Sequence, residues 1–573
     1  MHALVIALLA AAPLTTISEA SGFTKTGRYD EVETLCAAFA KQYPKKVKCE
    51  RFGTTPLGRP MLMLVASNDG TFTPEANKKK SRPVVLMQGG IHAGEIDGKD
   101  AGLWLMREVL EGRAAKGALD KVTWVFVPVF NIDGHERFGP NQRPNQRGPE
   151  EMGWRVTAAN LNLNRDYTKA DAPETRAMLS LLHRFEPVLY VDLHVTDGAQ
   201  FQHDVSVTFE PQRMGPPKVA EQGRALKDAV FTKLNARGHL PVDFYPSFVD
   251  DDDPSSGFEA GWPPPRFGTA YWALHHRFGL LVETHSWRPY AHRVKTTYDV
   301  CEALLDEAAL HGAQWLAEAR AADAVKLAGT EVPMLYAPTG DKRTIDFQGY
   351  AYTRTKSELS DKFWVQYDET KPQVWKVPLR SEVAPKVTLK APKAGYVVTA
   401  PYAADLEPRL TAHGLKFSKL KSQSLDVERF TGTATFRAAT NEGRAVPQIS
   451  GAWSAATEQV TTGALFIPID QPGGELVMHL FEPALPDSFA AWGFFNAHFE
   501  QKEYLEDYLT EAFARELLKD PAIKAEFDAR LKDAAFAKSP EQRLAFFARR
   551  HPSFDARMGV LPVYRVDVTP ASK

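Results

Sequence analysis

Four short runs constrain this chain more than anything else in it. Val84–Met87 (V-V-L-M), Val122–Phe130 (V-T-W-V-F-V-P-V-F), Val188–Leu193 (V-L-Y-V-D-L) and Phe278–Val282 (F-G-L-L-V) are almost wholly apolar and too short for helices. They read as buried strands. Helical patterns separate them: Tyr29–Tyr43, a stretch with Leu103, Met106 and Leu110 on one face, Ala172–Phe185, and Thr296–Ala321. Strands alternating with helices predict an α/β fold with a mixed central sheet flanked by helix layers. In such sheets ligands bind beyond the carboxyl ends of the strands. His92 and Glu95 follow the first run, Asn131 the second, His194 the third and Glu283 the fourth.

Imidazoles and carboxylates at strand ends suit a metal. His92 and Glu95 form an H-x-x-E pair directly after Gly89-Gly90, and His194 stands at a matching strand end. The pair alone is weak, since the chain repeats such spacings at His183/Glu186, His194/Asp197 and His479/Glu482. Two His and one Glu would hold one zinc ion and leave its fourth position open, the arrangement of catalytic rather than structural zinc. The three cysteines, Cys36, Cys49 and Cys301, lack C-x-x-C spacing, so any metal is held by His and carboxylates. Cys36 and Cys49 could close a short loop, worth about 3 kcal/mol in an oxidising compartment. Three buried thiols are the equal alternative.

A length of 573 residues exceeds one ordinary core, and a net charge of −2 gives no reason to expect nucleic acid. Ala3–Leu14 is an apolar block of signal-peptide length, followed by Ser18-Glu19-Ala20, which predicts cleavage before Ser21 and a periplasmic or secreted protein with no membrane span. The expected layout is a signal peptide over 1–20, a catalytic domain over 21–325, a β-rich region over 326–480 and a helical region over 481–573. Gly139–Asn164 and Phe244–Gly268 are long, polar or Pro-rich segments and read as walls of a cleft.

The ordered series H-A-G-E at His92, N-I-D-G at Asn131, W-R at Trp154, L-N-L-N-R-D-Y ending at Tyr167, D-L-H at His194 and V-E-T at Glu283 resembles the zinc metallocarboxypeptidase family, the carboxypeptidase A-like enzymes. The resemblance implies an α/β/α fold over about 22–325 and one Zn2+ on His92, Glu95 and His194. It implies Glu283 as general base and Asn164 and Arg165 on the terminal carboxylate of a peptide. Arg155 would stabilise the oxyanion, with Arg143 and Arg147 as competitors. A guanidinium fork fits a carboxylate in a bidentate, charge-assisted pair.

Several positions depart from the family. Gly94 stands where many members carry a substrate-binding Arg, and Asn162 where an Asp often accepts a bond from the first ligand His. The capping Tyr has two candidates, Tyr245 and Tyr271. Ala270 matches the position flooring the side-chain pocket, and Asp250–Asp253 reads as a solvated loop. The implied activity is hydrolysis of the C-terminal peptide bond. An amidase or endopeptidase acting on cell-wall peptides, or a deacylase, is the rival on the same fold. A non-catalytic binding protein is the rival of another class.

Overall fold

The computed structural model describes residues 14–572. Its largest sheet has eight strands: β1 (Val47–Thr54), β2 (Pro60–Ala66), β3 (Val84–Gly89), β4 (Thr123–Val127), β5 (Leu189–Val195), β6 (Val205–Glu210), β7 (Pro241–Val242) and β9 (Phe278–Thr284). The short β8 (Phe258–Glu259) belongs to another sheet. The order is β1-β2-β4-β3-β5-β9-β6-β7. Its centre, β4-β3-β5-β9, is parallel throughout; β1-β2, β2-β4 and β9-β6 are antiparallel, and the edge strand β7 runs parallel to β6. The four apolar runs are those four central strands, because only strands covered on both faces can be apolar at every position. β4 is shorter than its run: Pro128, lacking an N–H, follows its last residue.

Helices Asp97–Leu110, Pro217–Ala236 and Tyr290–Asp323 pack together beside the sheet. The last starts six residues before its expected boundary (Tyr290 rather than Thr296), and those first turns hold a structural hub. Arg293 is fully buried there and pairs with Asp97 at 2.9 Å. It also donates to the carbonyls of Arg147, Gly148 and Arg288 at 2.7–2.9 Å. Asp97 in turn accepts from Thr284 Oγ1 at 2.8 Å, so one buried pair sets the end of β9 and the loop around Gly148. Cys36 and Cys49 are disulfide-bonded, which ties helix Tyr29–Gln42 to β1.

The region after Val325 is not an appendage. Two long hairpins, Arg343–Lys356 with Phe363–Arg380 and Gln423–Phe436 with Pro447–Val460, dominate it. The first hairpin pairs with β8, Leu379 opposite Phe258, and so fastens the 244–268 cleft segment. The acidic run serves the same joint, as Asp252 pairs with Arg354 at 3.2 Å and accepts from the Phe363 N–H. The 481–573 stretch is helical as expected, yet it ends in Val560–Val566, a strand between Gly395–Val398 and Gln423–Phe436. The expected division at 480 therefore cuts through one sheet. Sequence could not show this, because strand pairing between distant segments leaves no local periodicity.

At the N-terminus the apolar block falls outside the described residues except for Leu14, which is buried. Thr16 and Glu19 form a reciprocal capping box on helix Ile17–Ala20, and Glu19 pairs with Arg107 at 2.6 Å. Cleavage before Ser21 would remove this packed segment, whereas cleavage before Leu14 would keep it.

Candidate metal centre and cleft

His92 and Glu95 sit in the turn that leaves β3. Gly90 makes that turn possible with φ +63°, a left-handed conformation that disfavours any side chain. His194 is the sixth residue of β5 and Glu283 the sixth of β9, and the register sets them opposite each other. His92, Glu95 and His194 converge so that their ligand atoms all lie within 4.8 Å of one another. Both imidazoles turn Nδ1 to Glu95, each at 2.9 Å.

Their outer nitrogens are held from behind. Asn162 Oδ1 lies 3.1 Å from His92 Nε2, so the amide takes the place of the expected carboxylate. Asp192 Oδ2 lies 3.0 Å from His194 Nε2, an ion-pair distance with poor alignment for a hydrogen bond. Partners of this kind fix ring orientation and ligand basicity. Asp192 was missed in sequence because inside V-L-Y-V-D-L it looked like part of a strand. An acid two residues before a strand-end His, on the same face, was the available signal.

The centre gathers charges of both signs around Glu95. Glu95 Oε1 faces the Arg143 guanidinium at 2.9 Å and Arg155 at 3.4 Å. Burial opposes charge on Glu95, but Arg143, His92 and His194 hold its carboxyl well below the usual range. Burial pushes the His92 imidazolium down to about 4. It opposes charge on His194 as well, yet Asp192, Glu283 and Glu95 hold that imidazolium well above its usual value. Two imidazole nitrogens and a carboxylate, dry and pre-oriented, are a donor set that fits zinc.

Glu283 is buried, and its Oε2 has no hydrogen-bond partner among the described residues. Burial, with Glu95 and Asp197 nearby, pushes its carboxyl up to about 8 against the pull of His194 and Arg143. Asn164 and Arg165 come from a single turn of helix, Leu163–Arg165, which Asn162 caps by accepting the Asn164 N–H at 3.0 Å. Arg165 stacks on Phe267 at 4.4 Å and makes no carboxylate pair among the described residues.

The three arginines Arg143, Arg147 and Arg155 differ in their surroundings. Arg147 is engaged outside the centre by Glu369 through two bonds of 2.8 and 2.9 Å. Arg143 is clamped between Glu95 and Asp197. Arg155 is a third exposed and lines the cavity. Gly94 explains how Arg143 arrives, since a Cβ there would lie 2.6 Å from Arg143 Cγ. The missing side chain at position 94 makes room for a guanidinium from the 139–164 segment.

His92, Glu95, Arg155, Asn164, Arg165 and Glu283 line one cavity of about 430 Å³. Tyr245 lines it. Tyr271 is buried away from it, bonded to His183 and His413 at 2.9 Å each, which excludes it as a mobile cap. Ala270 is not in this wall either. It lines a neighbouring cavity beyond Trp262, while Thr208, Glu210, Asp243, Glu259 and Thr269 line this one.

Glu210 is buried, and burial pushes its carboxyl from 4.5 up to about 7 despite Arg213. Between those pH values the unfolded chain has released this proton and the folded chain has not, so stability falls as pH rises through the window. The total is about 3 kcal/mol. Glu210→Gln is expected to raise the thermal midpoint at pH 8 and to leave it unchanged at pH 4. An equal shift at both pH values in calorimetry would refute this assignment.

Residues 32–226 match the family model described as zinc carboxypeptidase, a span that stops short of Glu283. Over 145 residues the chain is 30% identical to "Probable carboxypeptidase 2" of Arthroderma benhamiae, covering 25% of this chain and 24% of that protein. Over 96 residues it is 33% identical to an inactive metallocarboxypeptidase of Schizosaccharomyces pombe, covering 16% and 19%. The chain thus spans about a quarter or less of the length of these relatives. A solved metallo-carboxypeptidase from Burkholderia cenocepacia aligns at 18% identity and TM-score 0.34, over 48% of this chain and 68% of that one.

Proposed function

We propose that this chain, which resembles the zinc metallocarboxypeptidase family, is an exported zinc-dependent carboxypeptidase that releases the last residue of a peptide. The observation that carries the reading is a convergence. His92, Glu95, Arg155, the Asn164–Arg165 pair and Glu283, whose Oε2 has no hydrogen-bond partner among the described residues, all border one cavity, and His194 completes the donor set directly behind Glu95. His92, Glu95 and His194 would hold one zinc ion, which when bound polarises the scissile carbonyl and acidifies a water.

The chain's own residues do the rest. Asn164 and Arg165 hold the terminal carboxylate and set which bond is presented. Arg155 neutralises the carbonyl oxygen as it gains charge. Glu283 takes the proton of the attacking water at Oε2 and returns it to the departing amine. A base with a pKa near the working pH suits both transfers, and burial moves Glu283 in that direction.

The far wall favours a terminal side chain with hydrogen-bond donors. Its Arg213 donates to the carbonyls of Ala260, Gly261 and Ser381 and pairs with Glu210 at 3.5 Å, and Asp243 pairs with Lys227 at 3.4 Å, so Glu259 is the acid of the wall without an ion pair among the described residues. One observation favours hydrolysis of an amide without a free terminal carboxylate, as in wall peptides. Glu442, from the tip of the second hairpin, accepts the Asn162 N–H at 3.0 Å and adds negative charge near Arg165.

A mass-spectrometric panel separates the readings: peptides ending in Lys, Arg, Phe or Leu, their amidated forms, and muropeptides, with zinc content measured alongside. Release from free-carboxylate peptides alone supports the proposal. Cleavage of amidated peptides or muropeptides alone supports the rival, and no cleavage at full zinc supports the binding protein. Arg165→Ala should raise KM about 10- to 100-fold for free-carboxylate peptides, the worth of a charged hydrogen bond. Unchanged KM removes Arg165 from this role. Export is tested by the mature N-terminus, expected at Leu14 or before it because the segment from Leu14 to Ala20 packs on the domain through Leu14, Thr16 and Ser18. Mature protein beginning at Ser21 would show that this packing is dispensable.

A further inference from the structure

A second set of side chains able to hold a metal lies at β6, two strands outward from the β5 strand that carries His194. Asp204 immediately precedes β6, His239 lies in the loop before β7, and His292 stands in the first turn of helix Tyr290–Asp323. Their ligand atoms also lie within 4.8 Å of one another. Asp204 Oδ2 is 2.7 Å from His239 Nδ1 and 3.0 Å from His292 Nε2. These separations match the 2.9 Å pairs at the first centre, where one carboxylate also meets two imidazoles. Behind His239, Asp299 Oδ2 lies 3.1 Å from Nε2, as Asn162 lies behind His92. Asp299 is itself held by Arg237 at 2.8 Å.

We propose that Asp204, His239 and His292 form a second divalent-metal site of the zinc class, with Asp299 as the positioning residue behind His239. Two imidazoles and one carboxylate suit zinc, and a carboxylate on the far nitrogen of a ligand His fixes its tautomer for metal binding. Asp204, His239 and Asp299 are buried while His292 is exposed, so the set is pre-oriented yet open to solvent on one side.

The site sits where three elements already meet: Val205 pairs with Pro241, the Leu240 N–H donates to Asp204 at 2.8 Å, and Arg237 pairs with Asp299 on the helix. Val205 is paired opposite Thr284, and the Asp204 carbonyl accepts the His285 N–H at 2.9 Å. A metal here would therefore brace the segment that follows Glu283. None of its ligands lines the catalytic cavity, so it would act by bracing this segment, with its fourth position left to solvent on the His292 side.

The test is metal stoichiometry of the untagged full chain, equilibrated with a small excess of zinc, desalted and measured by mass spectrometry. Wild type should hold two zinc ions, His194→Ala one, His292→Ala one, and the double variant none. His292 is exposed, so its removal should leave folding intact. In the His194→Ala background zinc should raise the thermal midpoint, and Asp299→Asn should weaken that binding about 10- to 100-fold. A wild type with one zinc that His292→Ala retains would overturn the proposal, leaving His239 as a proton-held clamp between Asp204 and Asp299. Loss of zinc in His194→Ala with retention in His292→Ala would overturn it equally, whatever becomes of the proposed peptidase activity.

Discussion

Glu283→Gln is expected to lower kcat about 10²- to 10⁴-fold, with zinc content and KM little changed. That range is the usual worth of a positioned acid–base group, about 3–5 kcal/mol of barrier. The prediction rests on position as much as on chemistry. Glu283 faces His194 across the β5–β9 pair. Its Oε2 is buried and borders the cavity, and among the described residues it lacks a hydrogen-bond partner, a condition shared at this centre by Asp192 Oδ2 behind His194. Gln keeps the shape and the burial but accepts no proton, so the change separates base chemistry from packing. Zinc content should persist because His92, Glu95 and His194 form the ligand set without it. A variant that keeps more than about a tenth of wild-type kcat would remove Glu283 from the role of base.

Ending the chain at residue 325 is expected to abolish folding rather than merely trim the cleft. Helix Ala400–Ala412 packs on helix Pro173–Phe185, and the buried His413 bonds both Tyr271 Oη at 2.9 Å and the Thr168 carbonyl at 3.0 Å. Arg444 pairs with Asp171 at 2.6 Å, and Asp487 with Arg266 at 3.1 Å. Leu406, Leu410, Ile467 and Leu480 are fully buried in the same continuous core as the central strands. Burying each such side chain contributes about 1.5–3 kcal/mol, so losing a handful removes a typical net stability of about 5–15 kcal/mol. Cutting also leaves buried Tyr271 and Thr168 short of partners. Truncated protein should be insoluble, or expanded in size-exclusion chromatography. A soluble, compact 1–325 with native-like near-ultraviolet dichroism would show that the 326–573 region is separable after all.

The two expectations differ in how far the sequence anticipated them. The four apolar runs announced buried strands because continuous burial leaves a continuous apolar pattern, and all four became the parallel centre of the sheet. His92, Glu95, His194 and Glu283 were readable for the same reason, since residues just past buried strand ends gather at one rim. Asn162, Asn164, Arg155 and Arg165 came from motif order, and the structure brings them to the same cavity or directly behind it.

Three things were beyond the sequence. Arg143 reaches the centre only because Gly94 lacks a side chain. The polar far wall replaced the position marked by Ala270, because residues 208–213 and 243–261 meet there from opposite sides. The Asp204–His239–His292 set is scattered along the chain and has no spacing to recognise.

By itself, then, the sequence determined the alternating fold, the strand ends where chemistry can occur, and the residue types that converge there. These are consequences of burial, which acts residue by residue and leaves a period behind. Only the tertiary structure decided which guanidinium lies over the centre, what lines the far wall, and that residues 326–573 share the core and place Glu442 at the rim. Those depend on contacts between segments far apart in the chain, where the energy lies in shape and charge matched across space and leaves no local pattern to read.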